Sequence, residues 1–173
     1  MVNFILAIFS IMLTAATVIS TMNYLPGGAK VTAEAYNVSK TGIVTLEKAF
    51  KKYMSVNGAV YPPQTLAADG GLSQYFASYY GYLPKATTGY AWKYGYNGAN
   101  YYICMSPATG NSGATYPLWR GWTRTRNVLS DQQYFILSSC GATPPATPQS
   151  AAAKAAPASF PAPLALVYTL RYP

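Results

Sequence analysis

The chain of 173 residues contains no histidine. That absence excludes Ser-His-Asp and Cys-His catalysis and removes the commonest metal ligand. Acids are scarce too: Glu34, Glu47, Asp69 and Asp131 are its 4 carboxylate side chains. Glu34 and Glu47 fall in a stretch with helical periodicity. A paired-carboxylate site would need Asp69 and Asp131 to meet, and nothing in the pattern brings them together. No spaced Ser-Lys motif is present either, so the expectation is a protein that is not an enzyme and uses no cofactor or metal. There are only two cysteines, Cys104 and Cys140. Without histidine they cannot complete a tetrahedral zinc shell. An even count behind an export-like N-terminus reads as one disulfide, closing a loop of about 37 residues that the chain-entropy picture values at roughly 4 kcal/mol. Two free thiols in a reducing compartment are the alternative.

Charge is sparse as well. Charged residues make up 9% of the chain, against about a quarter in ordinary domains. The net charge of +8 comes from 12 Lys+Arg against 4 Asp+Glu. The excess reflects missing acids more than a dense basic cluster, so it reads as a diffuse basic surface on an envelope protein, with no nucleic-acid or small-molecule partner expected. What is abundant is 17 Tyr, 14 Gly and 13 Pro within a chain that is 51% hydrophobic. Such a chain has ample apolar area to bury, and its Tyr, Thr and Asn suit short strands and ordered loops. The length allows one domain plus an anchor.

From Val2 to Leu25 no side chain is charged. As a helix this stretch would be about 36 Å long, enough for a bilayer core of about 30 Å. A cleavable signal would show a basic n-region and a shorter apolar core. Neither is present, and the cleavage candidates near Ala15-Ala16 and Ser20 are poor. Residues 1–25 therefore read as a transmembrane anchor, with Phe4, Leu6, Ile8, Phe9, Ile11, Leu13, Val18 and Ile19 among its membrane-spanning side chains. A signal segment is the alternative. Lys30 is the first basic residue and lies after the span, which alone would place the C-terminal part of the chain in the cytoplasm. The cysteine pair and the Tyr/Thr/Asn-rich composition argue for export, and large domains translocate largely regardless of charge.

Pro26-Gly27-Gly28 should break or kink the chain before a helix from about Ala29 to Val56. Ile43, Leu46, Phe50, Tyr53 and Met54 fall at spacings of three and four and form a core-facing stripe. Glu47 and Lys51 make an i,i+4 pair, and Asn57-Gly58 supplies the C-cap. A short helix over Leu72 to Tyr80 ends at Gly81 with Pro84 beyond. Tyr90 to Tyr96 alternates and Asn97-Gly98 signals a hairpin returning through Tyr101 to Cys104. Tyr90, Trp92, Tyr94 and Tyr96 then share a face, more simply a packed sheet surface than a ligand platform. If the next stretch is extended, Arg120, Trp122, Arg124 and Arg126 also share one face. That is the one place where basic and aromatic residues interleave, and it reads either as an edge strand protected by charge or as a contact surface. Trp119, Arg120, Trp122, Arg124, Arg126, Tyr94 and Tyr96 are the candidate partner-binding residues. QYFILSSC reads as a buried strand carrying Cys140. Residues 142–163 are an Ala/Pro-rich linker expected to be an extended, semi-rigid tether. Residues 164–173 regain strand character and either dock back or pair with another protein.

This plan resembles type IV pilins and pseudopilins: a hydrophobic helix runs into an amphipathic one, and then come a loop, a Tyr-rich antiparallel sheet and one C-terminal disulfide. AEAYNVSKTGIVTLEKAFKKYMSVNG and then GLSQYFASYYGYLPKATTGYAWKY are similar to the helix and Leu…GlyTyrLeuPro…Gly…Tyr run of the shufflon-type IVb pilins of conjugative plasmids. The likeness covers about residues 1–105. Major pilins carry Glu at the fifth mature position, where this chain has Ile5 after Met1-Val2-Asn3-Phe4. The resemblance therefore implies an accessory component of such machinery, of the PilM type, or a minor pilin, rather than a polymerising subunit. The expectation is an α+β protein with a pilin-like domain over residues 29–141, anchored in the bacterial inner membrane with that domain in the periplasm. It would serve pilus assembly through contacts with other assembly proteins or pilins. A secreted or surface-displayed, adhesin-like sugar-binding module is the rival expectation.

Overall fold

The computed structural model describes residues 27–130 and 132–170. Helix α1, Gly27–Val56, buries Ala35, Ser39, Gly42, Ile43, Leu46, Ala49, Phe50 and Met54. These recur every three or four residues, the spacing that lines one face of a helix. Of the expected stripe, Tyr53 alone lies at its half-buried margin. The helix stops where the sequence says it should. Gly58 takes a left-handed conformation with φ 70°, and the Ala59 N–H donates back to the Met54 carbonyl at 2.8 Å. This six-to-one bond defines a Schellman cap. Glu47 and Lys51 pair at 2.7 Å, in a setting exposed enough for the pair to add little stability.

Helix α2, Leu72–Tyr80, and the hairpin of β1, Tyr90–Tyr96, and β2, Tyr101–Pro107, match the sequence reading closely. Tyr96 pairs with Tyr101, so the hairpin loop has the residues 97–100 rather than the two a bare Asn-Gly turn would give. Asn97 explains the difference. Its Oδ1 accepts the N–H groups of Ala99 and Asn100 at 3.1 and 2.8 Å, building the turn around its own side chain.

Beyond the hairpin come α3, Tyr116–Leu129, β3, Tyr134–Leu137, a single turn α4, Ala151–Lys154, and β4, Ala165–Leu170. Among the described residues the strands pair antiparallel in one 4-stranded sheet of order β1-β2-β4-β3. The last strand thus lies inside the sheet, and all six of its residues are buried. Its continuous apolar run suits a strand covered on both faces. The inner face presents Tyr90, Trp92, Tyr94, Ile103, Met105, Tyr134, Leu166 and Tyr168 to the helices. The outer face carries a smaller cluster of Tyr102, Cys104, Phe135, Ala165 and Val167, with Leu137 and Cys140 packed against it. Cys104 of β2 is bonded to Cys140 just past β3, with an S–S distance of 2.02 Å. Two free thiols are thereby set aside.

Two expectations need correction. The stretch around Trp119 to Arg126 is helical, not extended. Thr115 and Pro117 start the helix, and the small residues Gly121 and Thr125 seat it on α1, a geometry no strand could provide. The Ala/Pro-rich segment is not a free-standing tether. Gln149 is buried and donates its side-chain amide to the Tyr134 carbonyl at 2.8 Å, and Ala162 exchanges backbone bonds with Ala114 at 2.7 and 3.0 Å. Among the described residues no helix is long and apolar enough to cross a membrane. The expected anchor over residues 1–25, with all its membrane-spanning side chains, lies outside them, as does Asp131.

Candidate interaction surface

Helix α3 places the residues of interest. Thr115 is its N-cap in an extended conformation and Pro117 sits in the first turn, where a missing N–H costs nothing. Leu118 and Trp122 turn inward, and Trp122 meets Tyr90 edge-on with ring centres 5.3 Å apart. Gly121 faces α1 so closely that a Cβ there would fall 2.6 Å from both the Ala35 Cβ and the Thr32 carbonyl oxygen. Hydroxyls complete the crossing. Thr32 Oγ1 lies 3.0 Å from the Pro117 carbonyl and 2.7 Å from that of Gly28. Ser39 and Thr125 share a buried hydrogen bond of 2.7 Å.

This seating leaves Tyr116, Arg120 and Arg124, one helical turn apart, on the open side of α3. The Arg124 guanidinium lies over Tyr36 of α1 at 4.9 Å from the ring centre, and Arg120 lies over Tyr116 at 5.9 Å. Lys40 donates to the Tyr36 hydroxyl at 3.3 Å. Tyr116, Trp119 and Phe160 form a surface trio with centroid separations of 5.7, 5.6 and 6.2 Å. A shallow groove of about 430 Å³ runs between the helices, floored by Gly28, Ala33 and Pro117 and rimmed by Tyr116, Arg120 and Arg124.

The seven candidate partner-binding residues divide accordingly. Trp119, Arg120 and Arg124 belong to this surface. Tyr96 is half exposed at the far hairpin tip and donates to the Gly98 carbonyl at 2.7 Å. Tyr94, Trp122 and Arg126 are corrected to interior residues, exposed by 2%, 0% and 3%. Tyr94 stacks on Phe50 at 4.8 Å and donates to the Pro62 carbonyl at 2.6 Å. A helical rather than an extended repeat separates the arginines: residues four apart share a face, so Arg126 parts company with Arg120 and Arg124. Tyr36, Lys40 and Phe160 were missed. Phe160 sits in the low-complexity segment, where no periodic signal points to it.

The described carboxylates are occupied elsewhere. Glu47 pairs with Lys51, and Glu34 lies 4.0 Å from Lys85. Asp69 caps α2: burial disfavours its ionised form, but the Ser73 hydroxyl and the N–H groups of Ser73 and Gly71 outweigh that and hold its carboxyl below the ordinary value. Among the described residues no group of three or more His, Cys, Asp or Glu could hold a metal ion. Burial pushes the phenols of Tyr94 and Tyr134 up strongly and that of Tyr90 up to about 12, so all three stay neutral over the physiological range. What the surface offers chemically is delocalised cation and aromatic edge.

Comparison with models of known protein families, with curated proteins and with solved structures found no match to this chain.

Proposed function

We propose that this protein is a non-catalytic, membrane-anchored component of a type IV pilus or related assembly apparatus, of the pilin-like accessory kind, acting through protein contacts. One observation carries the reading: a long amphipathic helix is seated along an antiparallel 4-stranded sheet whose C-terminal part is tied by a disulfide. That arrangement fits the pilin resemblance of the sequence and an exported domain. The uncharged Val2–Leu25 stretch supplies the anchor to the inner membrane.

A second reading, a secreted or surface sugar-binding module, is favoured by a hollow of about 270 Å³ at the hairpin tip, where Asn97, Asn100, Thr143 and Thr147 stand beside the apolar Phe135, Pro144 and Pro145. The intact mass of protein recovered from membrane and periplasmic fractions, with and without reduction and alkylation, separates the two. A full-length mass in the membrane, with two thiols appearing only after reduction, is the expected result. A soluble form lacking about twenty N-terminal residues overturns the anchor and favours the sugar-binding module.

A further inference from the structure

We infer that the groove between α1 and α3 is a docking site for an acidic helix of another protein. The inference rests on the reading of a component that acts through protein contacts, and it names the kind of partner.

Shape is the first observation. The two helices run side by side in the same direction, with Pro117 against Gly28, Gly121 against Thr32 and Ala35, and Thr125 bonded to Ser39. The groove of about 430 Å³ therefore lies along both, with Gly28, Ala29, Thr32 and Ala33 on one wall and Tyr116, Pro117, Arg120 and Arg124 on the other. From Tyr116 to Arg124 it follows about 12 Å of helix axis, a little over two turns. A third helix laid along it meets only small side chains on the α1 wall, and small side chains shorten the distance at which helices pack. A helix in a groove is a recurring mode of protein recognition.

Charge decides what that helix carries. Arg124 rests on the Tyr36 ring at 4.9 Å from its centre, Lys40 stands 5.5 Å from the same centre, and Arg120 lies 5.9 Å from that of Tyr116. Among the described residues none of these three cations has a carboxylate partner. Arg120 and Arg124 are exposed and stand about 6 Å apart along the axis, the interval between two carboxylates four residues apart on a facing helix. Such a pairing breaks no ion pair already made, and guanidinium groups match carboxylates in geometry as well as charge.

A second copy of this chain cannot supply those carboxylates. It has 4, and no two of them are four residues apart. Glu47 pairs with Lys51, Asp69 caps α2, and Glu34 lines a different hollow beside Thr87 and Tyr90. The counter-charge must come from a different protein.

The test uses the full chain in detergent micelles, isotope-labelled in its arginines. The probe is an alanine-rich peptide of about sixteen residues, long enough to hold a helix, with two glutamates four residues apart. Controls carry two glutamines, or two glutamates only two residues apart and so on opposite faces. The contact is short and of the weak, transient size. The paired-glutamate peptide should therefore shift the Arg120 and Arg124 Nε–H signals between micromolar and millimolar concentration, about tenfold more tightly than either control. Arg120→Gln and Arg124→Gln should each weaken binding about three- to fivefold, less so in high salt. Ala33→Leu, which fills the groove from an exposed position, should abolish binding while leaving the urea midpoint unchanged. Equal binding of the glutamine peptide, no shift at millimolar peptide, or unchanged binding by Ala33→Leu overturns the site. Tighter binding of duplex DNA or of phosphatidylglycerol vesicles through the same arginines also overturns it. The anchor is judged separately by the mass measurement above. Peptide docking on a soluble, shortened chain overturns the anchor and leaves the site standing, and a membrane-retained, full-length chain that ignores the peptide does the reverse.

Discussion

The two halves of α1 are held by different physics. From Ile43 onward the helix buries Ile43, Leu46, Ala49 and Phe50 in the core beneath the sheet, where Phe50 stacks on Tyr94. Before Ile43 it buries Ala35, Ser39 and Gly42, and meets α3 through Gly121, Thr32 and the Ser39–Thr125 bond. The first interface is driven by apolar area, at roughly 1.5–3 kcal/mol for each large side chain fully buried. The second depends on close approach and on satisfied hydroxyls, whose net worth is about 1 kcal/mol per bond. One half supplies most of the stability and the other mostly sets geometry, which fixes where the open side of α3 points.

Substitutions can break that contrast. Phe50→Ala should cost the most, about 3–5 kcal/mol in urea unfolding, because it leaves a cavity beneath Tyr94. Gly121→Val should cost about 1–3 kcal/mol or more, since its side chain meets the α1 backbone and cannot be relieved by a rotamer change. A cost for Gly121→Val below that of an exposed substitution would mean that the helix crossing is looser than the structure has it. Removing the Ser39 hydroxyl with Ser39→Ala should cost about 1 kcal/mol, and pairing it with Thr125→Ala should cost less than the sum, as a double-mutant cycle would read. Arg124→Gln should stay within about 0.5 kcal/mol, because its stacking on Tyr36 is at the surface.

Alkali probes both halves at once. Tyr94 lies against the apolar half, and Tyr134 lies beside Ser39 and Thr125 without closing a hydrogen bond to either. Their folded pKa values are raised above the ordinary phenol value of 10.0, as is that of Tyr90. Only the unfolded chain loses these protons near pH 10, so their contribution is whole below about pH 10 and drains away above it. Phenolate absorbance should show Tyr90, Tyr94 and Tyr134 ionising only as the fold melts.

The contrast between the halves also explains what the sequence made legible. Helix α1 beyond Ile43, the helix ending at Gly81 and the Tyr90–Tyr96 strand carry large apolar residues at clean periods, so pattern and structure agree. Helix α3 hides its period because two of its contact residues are Gly121 and Thr125, which score as turn and strand residues. Thr115 and Pro117 were the signal that a helix begins there, and the Tyr116-Arg120-Arg124 spacing was the signal for its open face. For Trp122 and Arg126, type suggested a contact surface where burial is the outcome, because position on a helix decides orientation before chemistry does. The place of β4 was half legible: its unbroken apolar run favours a strand buried on both faces, but nothing local says between which neighbours.

That place has a topological consequence. From Cys104 the chain runs along β2, crosses the inner face as α3 and returns along β3 to Cys140, and the disulfide closes the circuit on the outer face. Strand β4 lies between β2 and β3, so the C-terminal segment passes through a covalent ring. If oxidation comes first, the tail must be threaded through that ring, and a folded tag fused after Pro173 would block the passage. If the strand docks first, the bond locks it in, and β4 then leaves only by sliding out lengthwise.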